Sequence, residues 1–64
     1  MAITLKAARV NAEMSQTEAA NRLGISKNTL CNYENYRTIP DIEMSKKIAA
    51  LYNWSVNDII FFKQ

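Results

Sequence analysis

The fold is decided by residues 16–34, QTEAANRLGISKNTLCNYE. This stretch predicts a helix, a tight turn and a second helix. Gly24 suits the left-handed position that ends a helix, and Ser26 suits the N-cap that begins the next one. Because the turn is too short for the two helices to run antiparallel, we expect them to cross at a steep angle.

The second helix of this pair separates apolar from polar side chains. Leu30 and Tyr33 form its apolar edge, helped by Ile25 from the turn. The opposite side is polar and carries Lys27, Asn28, Cys31, Asn32 and Asn35. Such a polar face, strongest near the helix N-terminus, is typical of a helix that enters the DNA major groove. The alternative is the solvated polar face that any surface helix has.

Base edges in a major groove are recognised by hydrogen bonds, and this face carries suitable groups. Lys27 can donate to guanine O6 and N7. Asn28 and Asn32 can both donate and accept, as a bidentate contact to adenine requires. Thr29 can contact a thymine methyl group or a phosphate. These four residues are the predicted base readers.

Phosphate contacts are expected on both sides of the second helix. Gln16 lies at the N-terminus of the first helix of the pair, where free N–H groups and the helix dipole favour an anion. Its amide can donate to a phosphate oxygen. The loop after the second helix supplies the other candidates, which are Asn35, Tyr36, Arg37 and Thr38. The alternative for these four is an ordinary loop.

A preceding helix over residues 4–12 places Arg9 within an apolar stripe, where an unpaired charge is unfavourable. Glu34 borders the buried edge of the second helix of the pair, so we predict an Arg9–Glu34 salt bridge. Two separate solvated charges are the alternative. A second apolar face with Val10 suggests that this first helix is covered from two sides.

The remaining chain predicts two further helices. Ser15 and Glu18 form a capping box, and Asp41 caps a helix over residues 41–52. The buried face of that helix is expected to include Ile42, Ile48, Ala49 and Tyr52. Asn53 suits the left-handed position after it. A short fifth helix should begin at Ser55 and include Ile59 and Ile60, followed by a tail whose two phenylalanines suggest packing or dimerisation.

Length and composition restrict the class of protein. The 64 residues fit one helix-turn-helix domain over 1–64, with the motif at about 16–35. No segment is long and apolar enough to span a membrane, no signal peptide is expected, and the single cysteine fits a cytoplasmic protein. With no histidine and no nucleophile–base pair, we expect no metal, no cofactor and no enzyme activity.

The sequence resembles the lambda repressor-like (Cro/C1-type, XRE) helix-turn-helix family over about residues 3–62. The matching segments are LKAARVNA (5–12), MSQTEAA (14–20), LGIS (23–26), LCNYEN (30–35) and PDI (40–42). The resemblance implies an all-α, five-helix domain that binds operator DNA with its third helix in the major groove. It implies a homodimer, formed in solution or only on DNA.

The same resemblance assigns roles to individual residues. It places Gln16 on a phosphate, makes Lys27, Asn28 and Asn32 base readers, and matches Arg9–Glu34 to a buried pair of phage members. Short members resemble phage and prophage repressors. Tyr36 departs from the pattern because many relatives have glycine there, so the chain leaves the third helix through a less permissive residue.

A second class of function stays open from the sequence. A helical module can keep this fold and bind a protein partner, as in an antitoxin or anti-repressor system, because fold does not fix function. The net charge of only +2 favours this alternative. The excess positive charge nevertheless lies in residues 1–40, the half that contains the helix pair.

Overall fold

The computed structural model describes residues 2–62 and is mainly helical. Its elements in order are β1 (Ile3–Thr4), α1 (Leu5–Asn11), α2 (Gln16–Leu23), α3 (Lys27–Glu34), α4 (Ile42–Tyr52), a 3₁₀ turn (Val56–Asp58) and β2 (Ile59–Ile60). Within these residues, no helix has the length and apolar character needed to cross a membrane. Lys63 and Gln64, the end of the predicted tail, lie outside the described residues.

Each α-helix in the described chain begins at a side-chain cap. The oxygens of Thr4, Ser15, Ser26 and Asp41 accept from the backbone N–H three residues later, at 2.8–3.1 Å. Three of these caps were predicted. The predicted capping box forms only through Ser15. The Glu18 carboxylate, expected to accept from the N–H of the cap residue, instead pairs with Arg22 at 3.2 Å. Side-chain caps of this kind stabilise a helix by about 1 kcal/mol each.

The same four helices end with a common motif. In each, a left-handed residue follows the helix and the next N–H donates to a carbonyl five residues back, as in Met14 to Arg9 and Arg37 to Asn32. The left-handed residues are Glu13, Gly24, Tyr36 and Asn53, with φ between 59° and 73°. Gly24 and Asn53 were predicted to take the left-handed conformation, and the structure confirms both predictions.

The core lies between the four helices and is closed by the end of the described chain. Its buried apolar residues are Leu5, Ala8, Ala19, Ala20, Leu23, Leu30, Ile48, Ala49, Tyr52, Ile59 and Phe61. The prediction for Ile42 was wrong: this residue is 73% exposed. It lies in the first turn of α4, beyond the end of the core, where Pro40 is buried instead. Val10 is 55% exposed, whereas Ile3 and Ala7 are half-buried, so the second face of α1 is only partly covered.

The predicted fifth helix is the main correction to the fold. Ser55 does cap a turn, accepting from Asn57 N–H at 3.3 Å, but the 3₁₀ turn ends at Asp58. Ile59 and Ile60 then form β2, which pairs in parallel with Ile3 and Thr4. β-Branched residues favour extended backbone, and β1 offers a partner that a short helix would leave unpaired. Phe61 packs in the core, whereas Phe62 is 56% exposed.

Candidate nucleic-acid interface

The turn between α2 and α3 positions the polar face of α3 that carries Lys27, Asn28, Thr29 and Asn32. We call this surface the recognition face. Gly24, with φ of 73°, ends α2, and Ser26 begins α3 two residues later. Leu30 is fully buried, which fixes the opposite side of α3 outward. Asn28 and Asn32 lie on that side, four residues apart. Lys27 and Asn28 are exposed, and Thr29 and Asn32 are half-buried. The hydroxyl groups of Thr29 and Ser26 lie 2.8 Å apart, so Thr29 also belongs to the cap.

The candidate phosphate-binding residues after α3 differ in what they already contact. Arg37 and Thr38 are exposed, and the Asn35 amide donates to Cys31 Sγ at 3.3 Å. The Tyr36 hydroxyl donates to the Ile60 carbonyl at 3.3 Å, which connects the loop to β2. A phenol has one hydrogen to donate, so a phosphate would compete with Ile60 for it.

The predicted Arg9–Glu34 ion pair is present. Arg9 Nε donates to Glu34 Oε2 at 2.7 Å, and Nη2 lies 3.4 Å from Oε1. The Arg9 and Glu34 side chains are 10% and 3% exposed. Arg9 Nη1 also donates to the Met14 carbonyl at 2.9 Å. The pair therefore joins α1, the chain entering α2 and the last turn of α3.

Gln16 joins this pair, a contact that the sequence analysis missed. Its Nε2 donates to Glu34 Oε1 at 2.9 Å, so one amide connects the N-terminus of α2 to the end of α3. We call Arg9, Gln16 and Glu34 the buried polar cluster. A carboxylate has about four acceptor positions, more than one arginine fills. That spare capacity was the available signal for a third member.

Tyr52 completes the surroundings of the buried polar cluster. Its hydroxyl has no hydrogen-bond partner among residues 2–62, and the residue is 3% exposed. Burial, with a further contribution from the Glu34 carboxylate and opposed by Arg9, raises the pKa of Tyr52 to about 12. Tyr52 thus stays neutral well above the ordinary range of tyrosine.

Two cations beside α3 remain uncompensated. Within the described residues, Lys27 and Arg37 have no ion-pair partner, whereas Arg9 pairs with Glu34 and Arg22 with Glu18. Lys27 is the first residue of α3 and Arg37 follows its end. The two positive charges available to an anion in this region therefore lie at the two ends of the recognition face.

The first turn of α3 is electrostatically unlike those of α2 and α4. Glu18 and Glu43 lie in the first turns of α2 and α4, where a negative charge interacts favourably with the helix dipole. The first turn of α3 has no acid and begins with Lys27. A cation at this end is unfavourable by a few tenths of a kcal/mol or more, but it adds to the attraction for an anion.

A family profile described as "Helix-turn-helix" matches residues 5–59 of the chain. The chain therefore belongs to this helix-turn-helix family. The match covers α1 to α4 and the 3₁₀ turn. No solved structure was found to match the chain.

Three relatives are similar to the chain along most of its length. The HTH-type transcriptional regulator ImmR of Bacillus subtilis is 41% identical over 88% of the chain, which covers 44% of ImmR. The transcriptional repressor RstR of the cryptic phage CTXphi from Vibrio cholerae is 33% identical over 81%, covering 47% of RstR. An HTH-type transcriptional regulator of Archaeoglobus fulgidus is 30% identical over the whole chain, covering 90% of that protein. The chain thus spans less than half the length of ImmR and RstR.

Proposed function

We propose that this protein binds operator DNA in a sequence-specific manner, with α3 in the major groove, and represses transcription. The observation that carries the proposal is the outward face of α3: Lys27 and Asn28 are exposed at its N-terminus, and Lys27 has no ion-pair partner within residues 2–62. Residues near the N-terminus of a recognition helix are those that reach base edges. The names of ImmR and RstR support a regulator of phage type.

Base recognition is assigned to one side of α3. Lys27 donates to guanine, and Asn28 and Asn32, four residues apart on the same side, each form a bidentate contact to adenine. Thr29 contacts a thymine methyl group or a phosphate; its hydroxyl lies 2.8 Å from that of Ser26, and either of the two could be the donor. Each good base contact discriminates by about 1–3 kcal/mol.

Phosphate contacts position the protein on the duplex. Gln16 holds a phosphate at the N-terminus of α2, and the loop after α3 holds the adjacent backbone through Asn35, Tyr36, Arg37 and Thr38. Arg37 contributes most of this group because it is exposed and charged. Tyr36 contributes least, because its hydroxyl must leave the Ile60 carbonyl to reach a phosphate.

Two copies are proposed to bind one operator, since a single helix-turn-helix unit of residues 1–64 recognises only half of a two-fold site. Of the candidate dimer surfaces, the loop over 36–40 is the best supported. Ile39 is 65% exposed there, and neighbouring Ile42 is also exposed. The end of α4 is a weaker candidate because Ala49 and Tyr52 are buried there, and the Trp54/Phe61/Phe62 region because Phe61 is buried and only Phe62 is exposed. We place the protein in the cytoplasm, where operators are accessible.

Selection of bound sequences from random DNA, followed by fluorescence anisotropy, tests this proposal. The selected site and a scrambled duplex are titrated at several salt concentrations. We expect affinity to fall as salt rises, because phosphate contacts release counterions. Asn32→Ala should reduce the preference for the selected site by about 1–3 kcal/mol. Arg37→Ala should weaken binding to both duplexes and reduce the slope of log K against log salt concentration by about one.

Lys47→Ala is the matched control for Arg37→Ala. It removes the same charge from an exposed position on α4, outside the proposed interface, so its effect should be smaller. Equal losses for the two variants would indicate attraction by net charge alone. Absence of binding at low salt would contradict the proposal and would favour the alternative suggested by the low net charge, a module that binds a protein partner.

A further inference from the structure

We propose that Glu34 is a positioning residue that orients the Gln16 amide for its phosphate contact. This inference rests on the proposed function, because it concerns how one DNA contact is prepared. The observation behind it is the 2.9 Å hydrogen bond from Gln16 Nε2 to Glu34 Oε1. Glu34 itself lies at the end of α3 with its side chain 3% exposed, so it does not face the DNA directly.

The bond to Glu34 determines which way the Gln16 amide points. A carboxylate only accepts hydrogen bonds, so the amide nitrogen must face it, and the reverse orientation would place two acceptor oxygens together. The amide nitrogen has two hydrogens and Glu34 takes one. The second stays available to an acceptor that approaches from solvent, to which the half-buried Gln16 is partly open.

Glu34 can fix this orientation because it is itself fixed. Arg9 contacts both of its oxygens, at 2.7 and 3.4 Å, and Arg9 is in turn held by the Met14 carbonyl at 2.9 Å. Glutamine has a long side chain with several rotatable bonds, and ordering it on binding would weaken binding. Ordering it beforehand improves the Kd by about 2- to 10-fold.

A double-mutant cycle on the full chain tests this coupling. Glu34→Ala alone would leave Arg9 buried and unpaired, so the cluster is instead replaced as a pair, Arg9→Met with Glu34→Leu, which keeps the site filled. Kd for the selected operator duplex is measured for the parent, for Gln16→Ala, for the paired variant and for all three substitutions together. Circular dichroism melts show that each protein is folded.

We expect Gln16→Ala to raise the Kd about 10-fold in the parent but only about 1- to 5-fold in the paired variant, which has already lost the contribution of the ordered amide. The paired variant alone should raise the Kd about 2- to 10-fold. Arg37→Ala is the control, because Arg37 does not contact the buried polar cluster, and its loss should be the same in both backgrounds. Equal losses for Gln16→Ala in both backgrounds, or no loss in the parent, would overturn the inference.

A measurement on the unmodified protein covers the case in which the paired variant does not fold. NMR relaxation of the side-chain amide groups in the free protein should show Gln16 more rigid than the exposed Asn28. Equal mobility of the two amides would overturn the inference. These outcomes differ from failure of the proposed function, in which the parent itself would not bind the duplex.

Discussion

Helices α3 and α4 begin and end with the same backbone motifs. The residues at these positions suit the motifs in α4 but not in α3. Both begin at a side-chain cap, Ser26 and Asp41, and both are followed by a left-handed residue. In α4 an acid lies in the first turn and the left-handed residue is Asn53. In α3 the first turn carries Lys27 instead, and the left-handed residue is Tyr36.

The difference shows where the sequence is not optimised for stability. Asparagine tolerates the left-handed conformation, whereas other residues with a Cβ atom pay about 1–2 kcal/mol there. Lys27 opposes the dipole of its own helix. Departures from the local rules are expected at functional sites. Both ends of α3 make such departures and α4 makes neither. Helix α1 makes them too, with Lys6 in its first turn and a left-handed Glu13 after its end, so the choice of α3 rests on its exposed polar face.

The last residues of the two helices should respond very differently to truncation. Glu34→Ala removes the partner of a buried arginine, so we expect the free energy of unfolding to fall by about 3–5 kcal/mol. Tyr52→Phe at the end of α4 removes a buried hydroxyl without a partner in the described chain, and should leave stability at neutral pH unchanged or slightly higher. Urea unfolding measures both. A small loss for Glu34→Ala would show that the pair is not buried in solution.

Tyr52 should also produce a loss of stability at alkaline pH. Its folded pKa of about 12 lies above the ordinary value of 10.0, so the unfolded chain gives up the proton first. The stabilisation is complete below pH 10 and disappears as the pH rises towards 12, by up to about 3 kcal/mol. Unfolding free energies measured from pH 9 to 12 should fall less for Tyr52→Phe than for the parent. Parallel curves would contradict the buried position of the hydroxyl.

The left-handed residues that follow the two helices, Tyr36 and Asn53, should differ less in their effect on stability. Tyr36→Phe removes the hydroxyl that donates to Ile60, so stability should fall by about 0.5–1.5 kcal/mol while DNA affinity falls much less than in Arg37→Ala. Asn53→Gly keeps a residue that accepts the left-handed conformation, and its effect should be below about 0.5 kcal/mol. Thermal melts and anisotropy distinguish these outcomes. A loss of affinity for Tyr36→Phe without a loss of stability would place its hydroxyl on a phosphate.

The local features of this fold could be predicted because they depend on neighbouring residues. Ser15, Ser26 and Asp41 cap helices through an N–H three residues away, and Gly24 and Asn53 end helices by their own backbone preferences. The Arg9–Glu34 pair could also be predicted, since a charge in an apolar stripe requires a partner.

Features that depend on distant contacts could not be obtained in this way. β2 exists because Ile59 and Ile60 meet Ile3 and Thr4 from the other end of the described chain. The exposure of Ile42 depends on where the core ends, not on the helical period. The Gln16–Glu34 bond required the relative placement of α2 and α3, and the Tyr36–Ile60 bond required that of the loop after α3 and β2.

If the first turn of α3 is suited to DNA at the expense of its own helix, reversing the charge of Lys27 should stabilise the protein and abolish its DNA binding, and Lys27→Glu allows both to be measured. The control is Lys6→Glu, the same charge reversal in the first turn of α1, which also lacks an acid. Both variants should raise the free energy of unfolding by about 0.3–1 kcal/mol. Only Lys27→Glu should abolish binding to the selected site, while Lys6→Glu should weaken it modestly through charge. Equal retention of binding by the two variants, or a loss of stability in Lys27→Glu, would show that Lys27 does not exchange helix stability for DNA binding.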